Sequence, residues 1–256
     1  MTLLLKNPHS VLAALEARPQ DVLEIAIPPK SKTEPWERVE ALGKKQGIRF
    51  TAQQAQDRKS KPGRSPLDES TRMGFASATI KERNPLALEE LFEGAGSVST
   101  HKEGVKNHGL WLALDSLQDT HNVGAIFRAA AFFGVRGILL TQDRSASLTG
   151  VVYDVASGGM ESVPFAMPTN LQQAFDKAKE KGLWILGSSE HAHDDYTSVQ
   201  LDRSWLLVLG NEEKGMRRLT EESCDVLCKI PSVGKVTSLN VSVAAGILIS
   251  RFAGVS

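Results

Sequence analysis

An uncharged polar cluster stands directly before an apolar segment near the C-terminus of this 256-residue chain. Its members are Ser238, Asn240 and Ser242, and residues 243–249 that follow are apolar or small. Serine and asparagine side chains accept hydrogen bonds from the free N–H groups of a helix's first turn. The pattern therefore predicts a capped helix over Val241–Phe252, and the alternative use of the same polar groups is to hold a ligand.

Two further polar segments lie upstream, each beside an apolar run. In the first, Asn122 lies near the start of a predicted helix, and Arg128 interrupts the apolar residues that follow it. Such an arginine is typically a surface residue or one partner of an ion pair. In the second, Glu212 follows Asn211 in a loop bounded by glycines, a place where a carboxylate often serves only as a helix cap. Taken singly, each residue has a purely structural interpretation.

In order and spacing, however, the three segments together resemble the motifs of the SpoU/TrmH family of RNA ribose 2'-O-methyltransferases, within the SPOUT superfamily. The segments are residues 114–130, 208–216 and 238–246. The resemblance covers residues 110–253 and extends more faintly into the N-terminal part of the chain. It is closest to the bacterial enzymes that methylate a guanosine ribose in 23S rRNA.

The resemblance implies an enzyme that transfers a methyl group from S-adenosylmethionine to a ribose 2'-hydroxyl in structured RNA. In open parallel sheets, ligands bind beyond the carboxyl ends of the strands. Family members hold the adenine and ribose of the cofactor with backbone groups at the positions that match Gly210, Ile230 and Leu239. These three residues are the expected cofactor contacts, although Gly210 would equally suit a plain turn.

The resemblance also implies five catalytic residues, Asn122, Arg128, Glu212, Ser238 and Asn240. Arg128 matches the residue proposed to activate the ribose hydroxyl, and Asn122 matches the residue that helps to orient it. Since arginine is effectively always protonated, we expect its guanidinium to stabilise the developing alkoxide and the substrate phosphate, while another group accepts the proton. Glu212 is expected to fix Arg128 or Asn240. Ser238 is expected to contact the substrate or Asn122.

From Leu110 onward, short apolar strands alternate with helices. This alternation predicts an α/β fold with a parallel sheet that helices cover on both faces. The resemblance implies that this domain is an α/β trefoil knot, in which the last segments thread through a loop. The predicted elements are Leu110–Leu114, Val123–Phe133, Gly137–Leu140, Leu171–Lys181, Leu183–Gly187, Trp205–Leu209, Val226–Ile230 and Val241–Phe252.

The N-terminal part of the chain predicts a smaller α/β unit that is similar to the RNA-binding domain preceding the catalytic domain in many family members. We expect an RNA-binding domain over residues 1–93, a linker rich in glycine, serine and charge over 94–109, and the methyltransferase domain over 110–256. The predicted elements of the first domain are a helix over 10–17, a strand over Val22–Ile27, a helix from Trp36 to Lys45, a strand from Ile48 and a strand over Phe75–Ile80.

The charged residues are distributed unevenly although the formal net charge is zero. Residues 1–106 carry 17 Lys and Arg against 14 Asp and Glu, a net charge of +3, and the remainder has a net charge of −3. Between Arg58 and Arg83 the local net charge is +4. A charged run of this kind is often only a solvated loop, but its Pro and Gly residues also suit an adaptable RNA contact. The expected RNA-binding residues are Arg58, Lys59, Lys61 and Arg64.

Several features bear on the location of the protein. Leu3–Leu5 is too short an apolar run for the core of a signal peptide, and no stretch approaches the roughly 20 apolar residues of a membrane span. Cys224 and Cys228 lie four residues apart on an amphipathic segment, which favours core packing over a disulfide or a metal pair. We therefore expect a cytoplasmic protein in a reducing compartment.

Other function classes have weaker support in the sequence. His191, His193, Asp194 and Asp195 could suggest a metal site, but without a second ligand cluster a solvated loop is the better interpretation, and no metal is expected. The chain has neither the glycine-rich dinucleotide fingerprint nor the phosphate-loop motif of NTPases.

Two alternatives to methylation of a 23S rRNA guanosine stay open. The first is a non-catalytic RNA-binding protein with the same fold, although the presence of all five catalytic positions argues against it. The second is methylation of tRNA, or of an rRNA site whose methylation confers antibiotic resistance. Whichever RNA the enzyme methylates, the resemblance implies a homodimer whose pockets are completed by the partner subunit.

Overall fold

The computed structural model of the chain describes residues 1–29, 33–51, 75–96, 99–100, 106–142 and 145–253. The chain divides into two compact units, Met1–Arg83 and Asn84–Ser256. Each unit contains a sheet of its own.

In its described residues, the N-terminal unit combines a four-stranded sheet with two helices. In chain order its elements are β1 (Thr2–Leu5), α1 (Pro8–Ala17), a 3₁₀ turn (Pro19–Asp21), β2 (Val22–Ala26), α2 (Glu34–Lys45), β3 (Phe50–Thr51) and β4 (Ser77–Lys81). The strand order is β1-β4-β2-β3, with β2 and β3 parallel and the other pairs antiparallel. The two helices pack against one another, and Leu5, Val11, Ile25 and Ile80 are fully buried in this unit.

Local capping explains where the first helix begins. Asn7 accepts a hydrogen bond from the His9 N–H at 2.9 Å, and Pro8 occupies the first turn, so that α1 starts before the predicted residue 10. The strand β1 is absent from the predicted elements, because three consecutive leucines lack the alternation that identifies a strand. In the structure Leu4 is exposed and Leu5 is buried, so the strand does alternate.

The C-terminal unit is an α/β domain with helices between most of its strands. Its elements are α3 (Leu88–Leu91), β5 (Ser99–Thr100), β6 (Lys106–Asn107), β7 (Leu110–Asp115), α4 (Thr120–Phe133), β8 (Gly137–Leu140), α5 (Gly150–Ala156), α6 (Gly159–Ser162), β9 (Phe165–Ala166), α7 (Leu171–Glu180), β10 (Trp184–Ser188), β11 (Asp194–Asp195), β12 (Trp205–Gly210), α8 (Arg218–Glu222), β13 (Val226–Lys229) and α9 (Val241–Phe252).

The main sheet of this unit has seven strands in the order β11-β13-β10-β12-β7-β8-β9, and every neighbouring pair is parallel. All six residues of β7, Leu110–Asp115, are buried. Successive side chains of a strand point to opposite faces. Trp111 belongs to one core cluster with Phe175 of α7, whereas Leu112 and Leu114 are buried on the other face. The predicted parallel sheet is confirmed.

Residues 84–96 belong to the C-terminal unit, so the division between the units falls before the predicted boundary at residue 93. Leu91, Phe92 and Ala95 are buried in the same core cluster as Trp111. The indole Nε1 of Trp111 also donates a hydrogen bond to the Leu91 carbonyl at 3.0 Å. The predicted layout places residues 84–93 in the first domain and begins the linker at Gly94.

Eight short elements of the C-terminal unit, α3, β5, β6, α5, α6, β9, β11 and α8, are absent from the predicted set. They are shorter than the windows in which hydrophobic periodicity is visible. One of them changes an expectation, because Asp194 and Asp195 form the edge strand β11, which pairs with β13, and not a simple loop. Among the described residues, no group of three or more His, Cys, Asp or Glu side chains is placed to hold a metal ion.

The two cysteines lie in the C-terminal unit as free thiols, Cys224 half-buried and Cys228 buried. Burial raises the pKa of both thiols to about 12. This agrees with a packing role for both side chains. In the described parts of the chain, no helix combines the length and the apolar character that a membrane span requires.

Candidate active site

Three of the five predicted catalytic residues meet in the C-terminal unit, and we call them the polar relay: Asn122, Glu212 and Asn240. The Asn122 Nδ2 donates a hydrogen bond to the Glu212 Oε1 at 2.5 Å. The Asn240 Nδ2 donates to the Asn122 Oδ1 at 3.0 Å. The three residues come from the first turn of α4, the loop after β12 and the residue before α9. Tertiary structure alone brings these side chains together.

The carboxylate of Glu212 sets the direction of the hydrogen bonds in the polar relay. An ionised carboxylate can only accept, so the Asn122 amide must turn its NH₂ group toward Glu212 and its oxygen toward Asn240. Asn240 then donates with its own NH₂ group, and its Oδ1 is left to accept hydrogen bonds from the first turn of α9. That oxygen accepts from the backbone N–H of Ser242 at 2.9 Å and from the Ser242 Oγ at 2.6 Å. Asn240 therefore caps α9 and belongs to the relay.

Asn122 is held in place by the start of α4. The Asp119 Oδ1 accepts hydrogen bonds from the backbone N–H groups of His121 at 2.7 Å and of Asn122 at 3.4 Å, which caps this helix. Asn122 itself is only 8% exposed. Because α4 packs against α9, the first turn of one helix reaches the start of the other.

Glu212 lies in a tightly closed loop, Asn211–Gly215, which we call the Glu212 loop. Asn211 and Gly215 exchange two backbone hydrogen bonds of 3.0 and 2.9 Å. The Asn211 Oδ1 also accepts from the backbone N–H groups of Glu213 and Lys214. Gly215 has φ +65°, a conformation that favours glycine. A Cβ on Gly210 would overlap the backbone of Gly215 and Met216, so glycine is required there for the loop to fold back.

A polar cleft of about 520 Å³ lies between the Glu212 loop and the turn that joins β7 to α4. Asn122 and Glu212 both line this cleft, so the polar relay forms part of its wall. The other lining residues are Ser116, Gln118, Asp119, Asn211, Glu213, Lys214, Gly215, Met216 and Arg217.

Arg128 and Ser238 are not joined to the polar relay by any hydrogen bond between described residues. Arg128 is exposed on α4, about 9 Å along the helix axis from Asn122 at 1.5 Å per residue. Ser238 lies in the segment 231–240, whose residues are all exposed. The family resemblance implies that Glu212 fixes Arg128 or Asn240. Its observed partner is Asn122, because the Glu212 loop faces the first turn of α4.

The expected cofactor residues lie near one another in the strand order. Gly210 ends β12 and Ile230 directly follows β13, and these two strands flank β10 on either side. Leu239 lies two positions before α9 begins and its side chain is 49% exposed. The carboxyl ends of β12 and β13 therefore open on the same edge of the sheet.

Asp115 and Arg217 form a polar contact beside the polar relay that the sequence did not single out. Asp115 is fully buried, and its carboxylate accepts from the Arg217 backbone N–H at 2.9 Å and from the Arg217 Nε at 2.6 Å. The available signal is an aspartate that directly follows the apolar strand residues 110–114. A charged residue in that position needs a partner, because an unpaired buried charge is costly.

The sequence profile of the SpoU rRNA Methylase family matches residues 109–250. The chain belongs to this family. The match contains every predicted catalytic and cofactor residue from Asn122 to Asn240. The expected RNA-binding residues Arg58, Lys59, Lys61 and Arg64 fall outside the match, and they also lie outside the residues that the structure describes.

Curated relatives in the SpoU family include enzymes named 23S rRNA (guanosine-2'-O-)-methyltransferase RlmB. The protein of Nitrosomonas europaea is 43% identical over 176 residues, which is 69% of this chain and 64% of the relative. That of Vibrio cholerae is 40% identical over 199 residues, covering 72% of this chain and 79% of the relative. The chain thus spans less than two thirds of the length of the Nitrosomonas protein.

Solved structures with a similar fold include two methyltransferases that contain AdoMet. AviRb from Streptomyces viridochromogenes in complex with AdoMet has a TM-score of 0.76 at 17% identity, over 98% of this chain and 89% of that one. An AdoMet-bound rRNA methyltransferase from Sinorhizobium meliloti has a TM-score of 0.72 at 18% identity, over 98% and 86% of the two chains. At this identity the likeness establishes the α/β fold.

Proposed function

We propose that this protein transfers the methyl group of S-adenosylmethionine to the ribose 2'-hydroxyl of a guanosine in 23S rRNA. The observation that carries the proposal is the polar relay, in which Asn122, Glu212 and Asn240 meet beside a polar cleft in a chain of the SpoU family. The RlmB relatives, at about 40% identity, support the choice of substrate.

The residues at the expected cofactor positions suit S-adenosylmethionine. Gly210 ends β12 and Ile230 follows β13 on the same edge of the sheet, where backbone N–H and C=O groups can bind the edge of an adenine. The half-buried Ile230 and the partly exposed Leu239 add apolar surface for a flat ring. We propose that Gly210, Ile230 and Leu239 hold the cofactor. When bound, the cofactor supplies a methyl group activated by its sulfonium charge.

In the proposed mechanism, each residue of the chain has a separate task. Arg128 binds the phosphate next to the target ribose and stabilises the negative charge that develops on the 2'-oxygen. Asn122 orients the ribose, and Glu212 keeps the Asn122 amide in one orientation through their hydrogen bond. Asn240 completes the pocket, and Ser238 contacts the substrate. The hydroxyl proton leaves to an acceptor other than Arg128, whose guanidinium stays protonated.

For RNA binding we propose that the N-terminal domain grips phosphates through Arg58, Lys59, Lys61 and Arg64, supported by the local charge of +4 between Arg58 and Arg83. The proposed layout keeps this domain at residues 1–93, with the linker at 94–109 and the methyltransferase domain at 110–256. The side chains of Leu91, Phe92 and Ala95, next to the proposed boundary, are buried in the core of the C-terminal unit.

We further propose that the methyltransferase domain is a trefoil knot, that it acts as a homodimer, and that it works in the cytoplasm on rRNA. Two helices that pack together support the dimer, since both expose large apolar side chains. Phe132 on α4 is 83% exposed and Val243 on α9 is 51% exposed. A second copy that covers these side chains would remove them from water. Analytical ultracentrifugation tests the dimer, and a monomer with full cofactor affinity would contradict it.

Methyl transfer to defined RNA tests the proposed function. Purified protein is incubated with radiolabelled S-adenosylmethionine and with 23S rRNA or tRNA from cells that lack the gene. We expect label in 23S rRNA at one guanosine, and the same position should lose its 2'-O-methyl group in the deletion strain. Label in tRNA would instead favour the alternative substrate. Cofactor binding without transfer to any RNA would favour the non-catalytic alternative.

A further inference from the structure

Asp115 places a carboxylate at a fully buried position, which costs free energy that a residue with only a structural role would not need to spend. It ends β7 in the middle of the sheet and has no exposed surface. Burying a carboxylate is unfavourable unless charge and hydrogen bonds compensate for it. Here Arg217 compensates through its backbone N–H and its Nε, and the Ser116 Oγ donates a third hydrogen bond at 3.1 Å.

The partner of this carboxylate directly follows the Glu212 loop. Arg217 lies two residues after Gly215, and its contact with Asp115 ties the end of the loop to β7. At the other end of the loop, the Asn211 Nδ2 donates to the Ser116 carbonyl at 3.1 Å. Both ends of the Glu212 loop are thus fastened to the same two residues, Asp115 and Ser116.

The same two residues also begin the turn that carries Asn122. Ser116 has φ +62°, the left-handed conformation, and it turns the chain from β7 toward α4. Asn122 follows in the first turn of that helix. The positions of the Glu212 loop and of the segment that leads to Asn122 therefore both depend on Asp115 and Ser116.

We propose that Asp115, Arg217 and Asn211 are positioning residues of the active site, and we call their contacts the clamp. The clamp fixes the Glu212 loop against the turn after β7, so that Glu212 meets Asn122 at hydrogen-bond distance. Its effect on catalysis rests on the proposed function, whereas its effect on the Asn122–Glu212 contact does not.

A clamp that acts through Glu212 differs measurably from a contact that only supports the fold. If Arg217 works by placing Glu212, then removing Arg217 should matter little once the Glu212 side chain is gone. A contact that only supports the fold would lower activity by the same factor in both backgrounds, because independent effects add in free energy. The decisive comparison is therefore a double-mutant cycle between the two positions.

The experiment uses the full chain with the variants Arg217→Ala, Arg217→Lys, Glu212→Ala and the two double variants. Arg218→Ala is the matched control, because Arg218 is adjacent, 78% exposed and paired only along its own helix with Glu222 among the described residues. The first readout is the side-chain amide resonance of Asn122 in ¹⁵N-labelled protein, which reports its hydrogen bond to Glu212 without any activity. The second readout is single-turnover methyl transfer.

We expect Arg217→Ala to move the Asn122 amide resonance toward its position in Glu212→Ala, and Arg217→Lys to move it part of the way. Misplacing a catalytic group by about 1 Å can cost about 100-fold in rate. We therefore expect Arg217→Ala to slow transfer by about 10- to 100-fold in the wild-type background and by less than about 3-fold in Glu212→Ala. Arg218→Ala should change neither readout.

An unchanged Asn122 resonance in folded Arg217→Lys, or equal losses of rate in both backgrounds, would overturn the clamp. If Arg217→Ala does not fold, the milder Arg217→Lys supplies both measurements. A wild-type protein that transfers no methyl group would refute the proposed function, and the Asn122 resonance would still decide whether the clamp positions Glu212.

Discussion

Replacing Asn122 with aspartate should break the polar relay while hardly changing the shape of the side chain. The variant loses the NH₂ group that donates to the Glu212 Oε1 at 2.5 Å, and a hydrogen bond to a charged group contributes about 1.5–3 kcal/mol. It also sets two carboxylates against each other. Two like charges 4 Å apart repel by about 1 kcal/mol in water and by about 4 kcal/mol near a protein surface. Because Glu212 is exposed to water, we expect a repulsion toward the lower of these values.

Together these effects predict that Asn122→Asp lowers the free energy of unfolding by about 2–4 kcal/mol at pH 8, or the Tm by about 5–15 °C. The defect should depend on pH, because one carboxyl of the facing pair has its pKa raised in the folded state. The folded variant then binds a proton that the unfolded chain has released, so its stability falls as pH rises from about 4 through the raised pKa. The defect should be smaller at pH 5 than at pH 8.

A second substitution should restore the relay with donor and acceptor exchanged. In Asn122→Asp/Glu212→Gln, the glutamine introduced at 212 donates to the aspartate introduced at 122, and Asn240 still donates to the same aspartate. We expect thermal unfolding to recover to within about 1 kcal/mol of wild type, whereas methyl transfer stays low if the carboxylate at 212 is required. The matched control is Asn122→Asp/Glu213→Gln, which removes a neighbouring carboxylate and should rescue nothing. A double variant no more stable than Asn122→Asp alone would refute the assigned direction of the relay.

Three further predictions address the guanidinium, the loop and the thiols. Arg128→Lys should lose about as much single-turnover rate as Arg128→Ala, about 100- to 1000-fold, because lysine keeps the charge but not the planar fork; near wild-type transfer by either variant would contradict the role. Gly210→Ala should destabilise the protein by about 1–3 kcal/mol in urea unfolding, because its Cβ would overlap the loop backbone, whereas Gly234→Ala, whose Cβ would find its nearest neighbour at 4.0 Å, should be nearly neutral. Cys224 and Cys228, whose pKa burial raises to about 12, should resist alkylation at pH 8 until the chain is unfolded, and fast labelling of the native protein would contradict their burial.

The regular part of the fold was predictable because it depends on local patterns. Apolar runs such as residues 110–114 and 205–209 identify buried parallel strands without knowledge of their neighbours. Helix starts were predictable where a capping side chain marks them, as Asn240 does before α9. Elements without such local signals are absent from the prediction. The three consecutive leucines of β1 show no alternation of polar and apolar residues, and α6 has only four residues.

The domain boundary shows a different limit of local patterns. The predicted layout assigns residues 84–93 to the first domain, but Leu91 and Phe92 are buried beside Trp111 in the C-terminal unit. Whether a short segment packs depends on the apolar surface that another part of the chain presents to it. That surface is formed here by strands and by α7, both of which lie later in the sequence.

The candidate site residues are predicted from family motifs, yet the motifs do not say which side chains form hydrogen bonds with each other. The motifs predict Arg128 or Asn240 as the partner of Glu212, and its partner in the structure is Asn122. The choice depends on the Glu212 loop, whose two fastenings to Asp115 and Ser116 are contacts between residues about a hundred positions apart. No local pattern encodes such a contact, although the buried aspartate at the end of β7 indicates that some partner must exist.

Asn240 both caps α9 and takes part in the polar relay. A carboxamide has an acceptor at one end and donors at the other, so it can cap with its oxygen and still donate with its nitrogen. The Asn240 oxygen meets Ser242 while its nitrogen meets Asn122. An aspartate could cap the helix but could not donate, which would leave the Asn122 oxygen facing a carboxylate. The cap needs an acceptor and the polar relay needs a donor. The asparagine at position 240 supplies both from one side chain.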